Sequence, residues 1–340
     1  MSQEIELTLV QSPPEVERNT DDGDIVQLAD GRLLVVWADY HAGSFPEAPT
    51  RVAAMTSDDA GQSWGKPYTL LENSTQESLM CFSLLRMSSG DILFFYGRRN
   101  SNSDFQVFVR GSGDETQTWS DPVMVTEGDG YCVMINARVI ELSSGRIIAP
   151  LERTDDCAVP NHVLVSTVFY SDDGGRSWTK SETDIACAKR GAMEPGVVEL
   201  TDGRLLMIIH TELGQIYRSY SSDEGLTWTD AEPMGIAAAV SAHSAISRIP
   251  ATGDLLLIWD QGAEGSPLSL TAAISSDEAE TWHHKRDLEP AGPHTCAYRS
   301  VNFVGDRVLL TYWVTDKQAE PARLYMKFRS LPVEWLYAEQ

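Results

Sequence analysis

Basic residues are scarce in this 340-residue chain. Lys and Arg number 26 against 50 Asp and Glu, a formal charge of -24 at pH 7. A field of that sign repels phosphate and excludes a general nucleic-acid or anionic-membrane binder, though it leaves room for a local basic pocket. Long hydrophobic runs are absent: no stretch approaches the roughly 18 apolar residues that a membrane helix requires. The start, Met1 to Glu6, has neither the basic opening nor the apolar block of a secretory leader, so the chain reads as soluble and cytoplasmic. Paired cysteines are also lacking. Cys81, Cys132, Cys157, Cys187 and Cys296 are odd in number and far apart, which argues against a disulfide framework and a zinc motif. No spaced loop motif marks a metal site, so no metal or cofactor is expected. A long 3.6-residue apolar period, the mark of an extended helix, is missing too.

What is present is repetition. The pattern S-x-D-x-G-x-x-W is complete at 57–64, 171–178 and 221–228. Two degenerate copies run from Ser112 to Trp119, with Thr116 in the Gly position, and from Ser275 to Trp282, with Ala279 there. These boxes use five of the nine tryptophans. A second repeat pairs a tight turn with an apolar run: Asp30-Gly31, Ser89-Gly90, Ser144-Gly145, Asp202-Gly203, Thr252-Gly253 and Gly305-Asp306 each precede one. Gly accepts the positive φ that such hairpin turns require, and unbroken apolar runs suit strands covered on both faces. Six hairpins alternating with five boxes give four antiparallel strands per unit. The expected fold is an all-β, six-bladed β-propeller forming one domain over residues 1–340. The last unit lacks a box, and the segment Ile5–Val10 is expected to close it, because closure removes exposed sheet edges.

The box is the Asp-box, or bacterial neuraminidase repeat, and the chain as a whole resembles the sialidase superfamily. That resemblance implies a structural role for the box: its Ser and Asp bond turn backbone and its Trp packs between blades. It also implies a retaining glycosidase site with a Tyr–Glu nucleophile pair, an Asp acid/base and three arginines that hold a carboxylate. Glu194, in Met193-Glu194-Pro195-Gly196-Val197-Val198-Glu199-Leu200-Thr201-Asp202-Gly203, matches the segment carrying the Glu of that pair. Tyr298, in Ala297-Tyr298-Arg299-Ser300-Val301, matches the Tyr, and Asp39 lies near the place of the acid/base. The arginines depart from the pattern. His210, the segment Asp22-Gly23-Asp24 and Ser266 stand where the three would be, so the triad is incomplete.

The strand count puts the D-G turns and the boxes on one rim. The other rim, where six loops converge, is the expected ligand face. It collects Asp22, Asp24, Asp39, Tyr40, His41 and Arg51, then Glu77, Arg98, Arg99 and Asn100. The third unit adds Tyr131, Asn136, Arg138, Glu152, Arg153 and His162, and the fourth adds Glu194, His210, Glu212 and Gln215. The last two bring His243, Asp260, Gln261, His294, Tyr298 and Arg299. Arginines clustered in so acidic a chain favour an anionic ligand, and Arg98, Arg99, Asn136, Arg138, Arg153, Asp260 and Arg299 are the expected substrate-binding set. The partner expected is an acidic oligosaccharide. Three activities fit: an exo-glycosidase on a carboxylated sugar with Tyr298, Glu194 and Asp39 at work; a polysaccharide lyase in which His210, His243 or Tyr298 removes a proton α to a uronate carboxylate; and a non-catalytic glycan binder.

Overall fold

The computed structural model describes residues 4–12, 20–40, 50–73, 78–126, 128, 130–239, 243–262, 265–320 and 322–338, with backbone alone for 20–22. No helix is long and apolar enough to cross a membrane. The one helix among the described residues is the short Val333–Tyr337. The apolar runs after the tight turns form the second strand of each unit, and strands such as Leu205–His210 are buried along their whole length. At Gly203 φ is 85°, the left-handed value the hairpin requires.

The strands fall into antiparallel meanders, here called blades one to six in chain order. Blade one is Thr20–Gln27, Leu33–Asp39, Arg51–Ser57 and Tyr68–Leu71. Blade four begins Met193–Glu199 and Leu205–His210, and blade five Ser244–Arg248 and Leu255–Gln261. Blades two and three merge into one nine-stranded sheet, because Gly130–Val133 pairs in parallel with Asp104–Ser112. In blade six, His294–Val304, Arg307–Asp316 and Arg323–Pro332 are completed by Ile5–Gln11, which pairs antiparallel with the last of them.

Among the described residues six apolar clusters weld the blades. Each is shared by two neighbours, from Leu34, Phe82 and Phe94 between blades one and two to Trp37, Trp313 and Phe328 between blades one and six. The chain therefore closes on itself, and its core is a set of interblade layers.

The boxes repeat one bond set. Ser57 Oγ accepts from the Gly61 amide at 2.8 Å, while Asp59 accepts from the Ser63 amide at 2.8 Å and its hydroxyl at 2.6 Å. Ser171 and Asp173 repeat these contacts on Gly175 and Ser177. The box tryptophans pack across blade boundaries, Trp64 edge-on to Phe328 at 5.3 Å and Trp178 edge-on to Phe95 at 5.6 Å. Thr116 and Ala279 keep the left-handed backbone of the glycine they replace, with φ of 69° and 70°.

The innermost strands line the channel. Four of them slip register, between Asp21 and Asp24, Met80 and Ser83, Met193 and Gly196, and Ala297 and Ser300. Such bulges re-aim side chains. In three of these slips a non-glycine residue takes positive φ: Cys81 at 62°, Glu194 at 48° and Tyr298 at 50°. Each costs about 1–2 kcal/mol, and backbone strain of this kind concentrates at working sites.

Candidate active site

Glu194 and Tyr298 occupy equivalent bulges in their strands, both at positive φ. Glu194 is 9% exposed. Its Oε2 accepts a 2.8 Å hydrogen bond from Nδ1 of His210, the last residue of the neighbouring strand. Nδ1 of His243, at the entry to blade five, stands 2.6 Å from the same oxygen, off the ideal hydrogen-bond axis. The His243 ring packs on Tyr298 with centroids 4.9 Å apart, and on His210 at 5.8 Å. Glu194, His210, His243 and Tyr298 are thus one continuous cluster.

The surroundings fix its charge. Burial pushes the Glu194 carboxyl up, but His243 and His210 outweigh burial and hold it well below the usual range. Glu152, whose Oε2 accepts the Glu194 amide at 2.7 Å, is driven the other way. Burial and then the Glu194 charge raise it to about 7, opposed in part by Arg190. The two adjacent carboxyls are thus shifted in opposite directions, a pattern that also occurs in acid–base sites.

The frame below is polar and buried. Arg138 crosses the channel to donate to the Ser244 carbonyl at 2.5 Å. Gly196 leaves room for it, since a Cβ there would stand 3.3 Å from its Nη1. Burial pushes this guanidinium down to about 10. Asn136 Nδ2 bridges the Gly23 and Tyr298 carbonyls at 2.8 and 2.9 Å, tying the Tyr298 bulge to blades one and three. Arg299 pairs with both oxygens of Asp260 at 2.8 Å and donates to the His243 carbonyl. Asp24 accepts from the Leu84 amide, Ser300 and Asn302 at 2.7 to 2.9 Å, and burial lifts it to about 6.

The structure therefore gathers Glu194, His210, His243 and Tyr298, with Asn136, Arg138, Asp260 and Arg299 as their support. Other expected residues have contacts elsewhere. Arg98 stacks over Phe108 at 4.4 Å, Arg99 bonds Asn102 at 2.6 Å, and Arg153 stands 3.7 Å from Asp184. Asp39 is held by Arg51 at 2.8 Å. Tyr40 lies in the core, and Tyr131 packs on Phe105. His41, Glu77 and the Asp22 side chain lie outside the described residues. A cavity of about 950 Å³, lined by Asp24, Arg86, Arg138 and Arg248, opens at the turn side of the channel and is a different mouth from the cluster.

Two cations were missed by the sequence reading. Exposed Lys189 donates to the Glu212 carbonyl at 2.6 Å, and the charge of Arg190 acts on Glu152, the neighbour of Glu194. A basic pair three residues ahead of the matched segment, in so acidic a chain, was the available signal. Among the described residues one group could hold a metal: the ligand atoms of Glu194, His210 and His243 all lie within 4.8 Å of one another.

Known proteins agree with this architecture. The family model for a BNR repeat-like domain matches residues 22–309. A sialidase of Paraclostridium sordellii is 29% identical over 273 residues, covering 72% of this chain and 61% of the relative. A Micromonospora viridifaciens sialidase is 25% identical over 307 residues, covering 80% and 45%. The chain thus spans less than two thirds of the length of these relatives. Among solved structures, a Dyadobacter fermentans protein of unknown function superposes with a TM-score of 0.76 at 18% identity, covering 97% and 100% of the two chains. The Ruminococcus gnavus intramolecular trans-sialidase, in complex with oseltamivir carboxylate, gives 0.75 at 15% identity and 98% of both chains. At such identities the superpositions establish the fold, a sialidase β-propeller, and the matched model establishes kinship: this chain belongs to the BNR-repeat family of the sialidase superfamily.

Proposed function

We propose that the protein is a retaining exo-glycosidase of the sialidase type acting on a carboxylated sugar other than the usual sialic acids. The observation that carries this reading is the ionised Glu194, buried between His210 and His243 beside Tyr298. Tyr298 attacks the anomeric carbon as the phenol loses its proton to the Glu194–His243 pair, forming a glycosyl–tyrosine bond while the aglycone oxygen departs with a proton. A neutral nucleophile suits attack next to a substrate carboxylate, where an anion would be repelled. Asp39 supplies that proton if substrate releases it from Arg51. Water then attacks the anomeric carbon of this aryl glycoside, and the departing Tyr298 oxygen takes back its proton from the Glu194–His243 pair. His210, in place of an arginine, shifts preference away from sialic acid, and exposed cations such as Lys189 and Arg190 meet the carboxylate.

The test is a panel of aryl glycosides of uronic and nonulosonic acids, with product stereochemistry followed by NMR. Release of the aglycone with retention supports the reading; no turnover of any acidic glycoside, with turnover of neutral ones, contradicts it. A lyase is the second reading, favoured by the fixed His243 ring beside Tyr298. It would yield an unsaturated, ultraviolet-absorbing uronate instead of a saturated sugar.

A further inference from the structure

We infer that Glu194, His210 and His243 form a site for a single transition-metal ion, Zn²⁺ by preference. The inference does not require the glycosidase reading, although it uses the same residues, and it rests on the donor set. Among the described residues, this is the group of three His, Cys, Asp or Glu side chains whose ligand atoms all converge within 4.8 Å. Two imidazole Nδ1 atoms approach one carboxylate oxygen at 2.8 and 2.6 Å. In a tetrahedral zinc site, donors about 2.0–2.1 Å from the ion stand about 3.4 Å apart. An outward shift of about 0.7 Å in these side chains opens that space.

The ligands are well anchored. His210 ends a fully buried strand, the Glu194 backbone is held by the hydrogen bond its N–H donates to the Glu152 carboxylate, and the His243 backbone is held by Arg299. Such outer partners orient metal ligands. Three protein donors leave one position for water, the pattern of an open zinc site. Charge selects the type of ion. Arg138 lies beneath Glu194 and Arg190 opposes Glu152, so a hard cation that depends on carboxylate charge gains little here. An ion that bonds imidazole nitrogen covalently gains most, which favours Zn²⁺ over Ca²⁺ or Mg²⁺. In the bound state each ring carries its proton on Nε2. The ion occupies the Glu194 oxygen, so Zn²⁺ and the glycosidase use of Glu194 are mutually exclusive.

Chelator-stripped full-length protein titrated with Zn²⁺ against a chromogenic chelator should bind one equivalent. His210→Gln and His243→Gln should each weaken that binding by about 100-fold or more, since loss of a direct ligand exceeds loss of an outer partner. His283→Gln, in an exposed histidine pair, should leave it unchanged. No stoichiometric binding, or affinity surviving in the His210→Gln/His243→Gln double variant, overturns the site. Should the variants fail to fold, the wild-type Co²⁺ complex decides. Intense four- or five-coordinate visible bands support the site, and a weak six-coordinate spectrum overturns it. Zinc titration reads binding and the glycoside panel reads turnover, so the two proposals fail separately.

Discussion

The two rims of this propeller are built on opposite principles. At the box rim the same residues recur with the same bonds: Ser112 and Asp114, Ser221 and Asp223, and Ser275 and Asp277 all reproduce the contacts of Ser57 and Asp59. Around the innermost strands on the other side stand Cys81, Asn136, Glu194, His243 and Tyr298, five different side chains. Repetition at one rim solves one problem, the closing of a turn, several times. Singularity at the other means that each blade contributes something the rest lack. The blades are interchangeable as scaffolding and individual as chemistry, so substitutions at the two rims should fail in different ways.

The largest expected effect is on turnover. Glu194→Gln and Tyr298→Phe should each lower kcat/KM by about 10³-fold, the scale of losing an acid–base group or nucleophile, while the thermal midpoint changes little. Equal turnover in either variant would break the contrast between the rims.

Next is Asp24, which belongs to the channel frame between them. Asp24→Ala strands the Leu84 amide and the Ser300 and Asn302 donors, and should cost about 3 kcal/mol or more in urea unfolding. A loss below about 1 kcal/mol would mean that water replaces the carboxylate.

The box rim should show smaller, reproducible losses. Asp173→Asn should lower Tm by roughly 2–4 °C without affecting turnover. The Ser177 hydroxyl and amide hold the Asp173 carboxyl at about 2. A depressed acid stabilises the fold above its unfolded value near 4 and ceases to do so as pH falls through 2. The Tm gap between wild type and Asp173→Asn should therefore narrow between pH 4 and 2.5; a constant gap would contradict the bonding account. The smallest effect concerns a degenerate box. Thr116→Gly removes a β-branched residue from φ 69° and should stabilise by about 1 kcal/mol after the entropy of glycine is subtracted.

The same contrast explains what could be read from the sequence. Turns and boxes are local, so Asp30-Gly31 or Ser57 to Trp64 announce their strands without tertiary knowledge. Glu194 and Tyr298 were found through their flanking segments. His210 and His243 share a rim in the sequence and stand there as alternative bases, but nothing in a spacing of 16 residues from Glu194 to His210 reveals a shared oxygen. The contacts of the arginines were not legible. A one-residue bulge turns a side chain from rim to channel, as with Arg299 between Ala297 and Ser300, and strand periodicity does not show where bulges fall. Neither did the sequence show that Arg98 would lie on Phe108.

The central claim is that chemistry resides at the singular rim and stability at the repeated one. Its most direct test measures kcat/KM and Tm side by side for Glu194→Gln and Asp173→Asn, using the best acidic aryl glycoside. The account predicts that Glu194→Gln loses about 10³-fold in turnover at nearly constant Tm, while Asp173→Asn loses Tm at constant turnover. Comparable losses of turnover in both variants would contradict it.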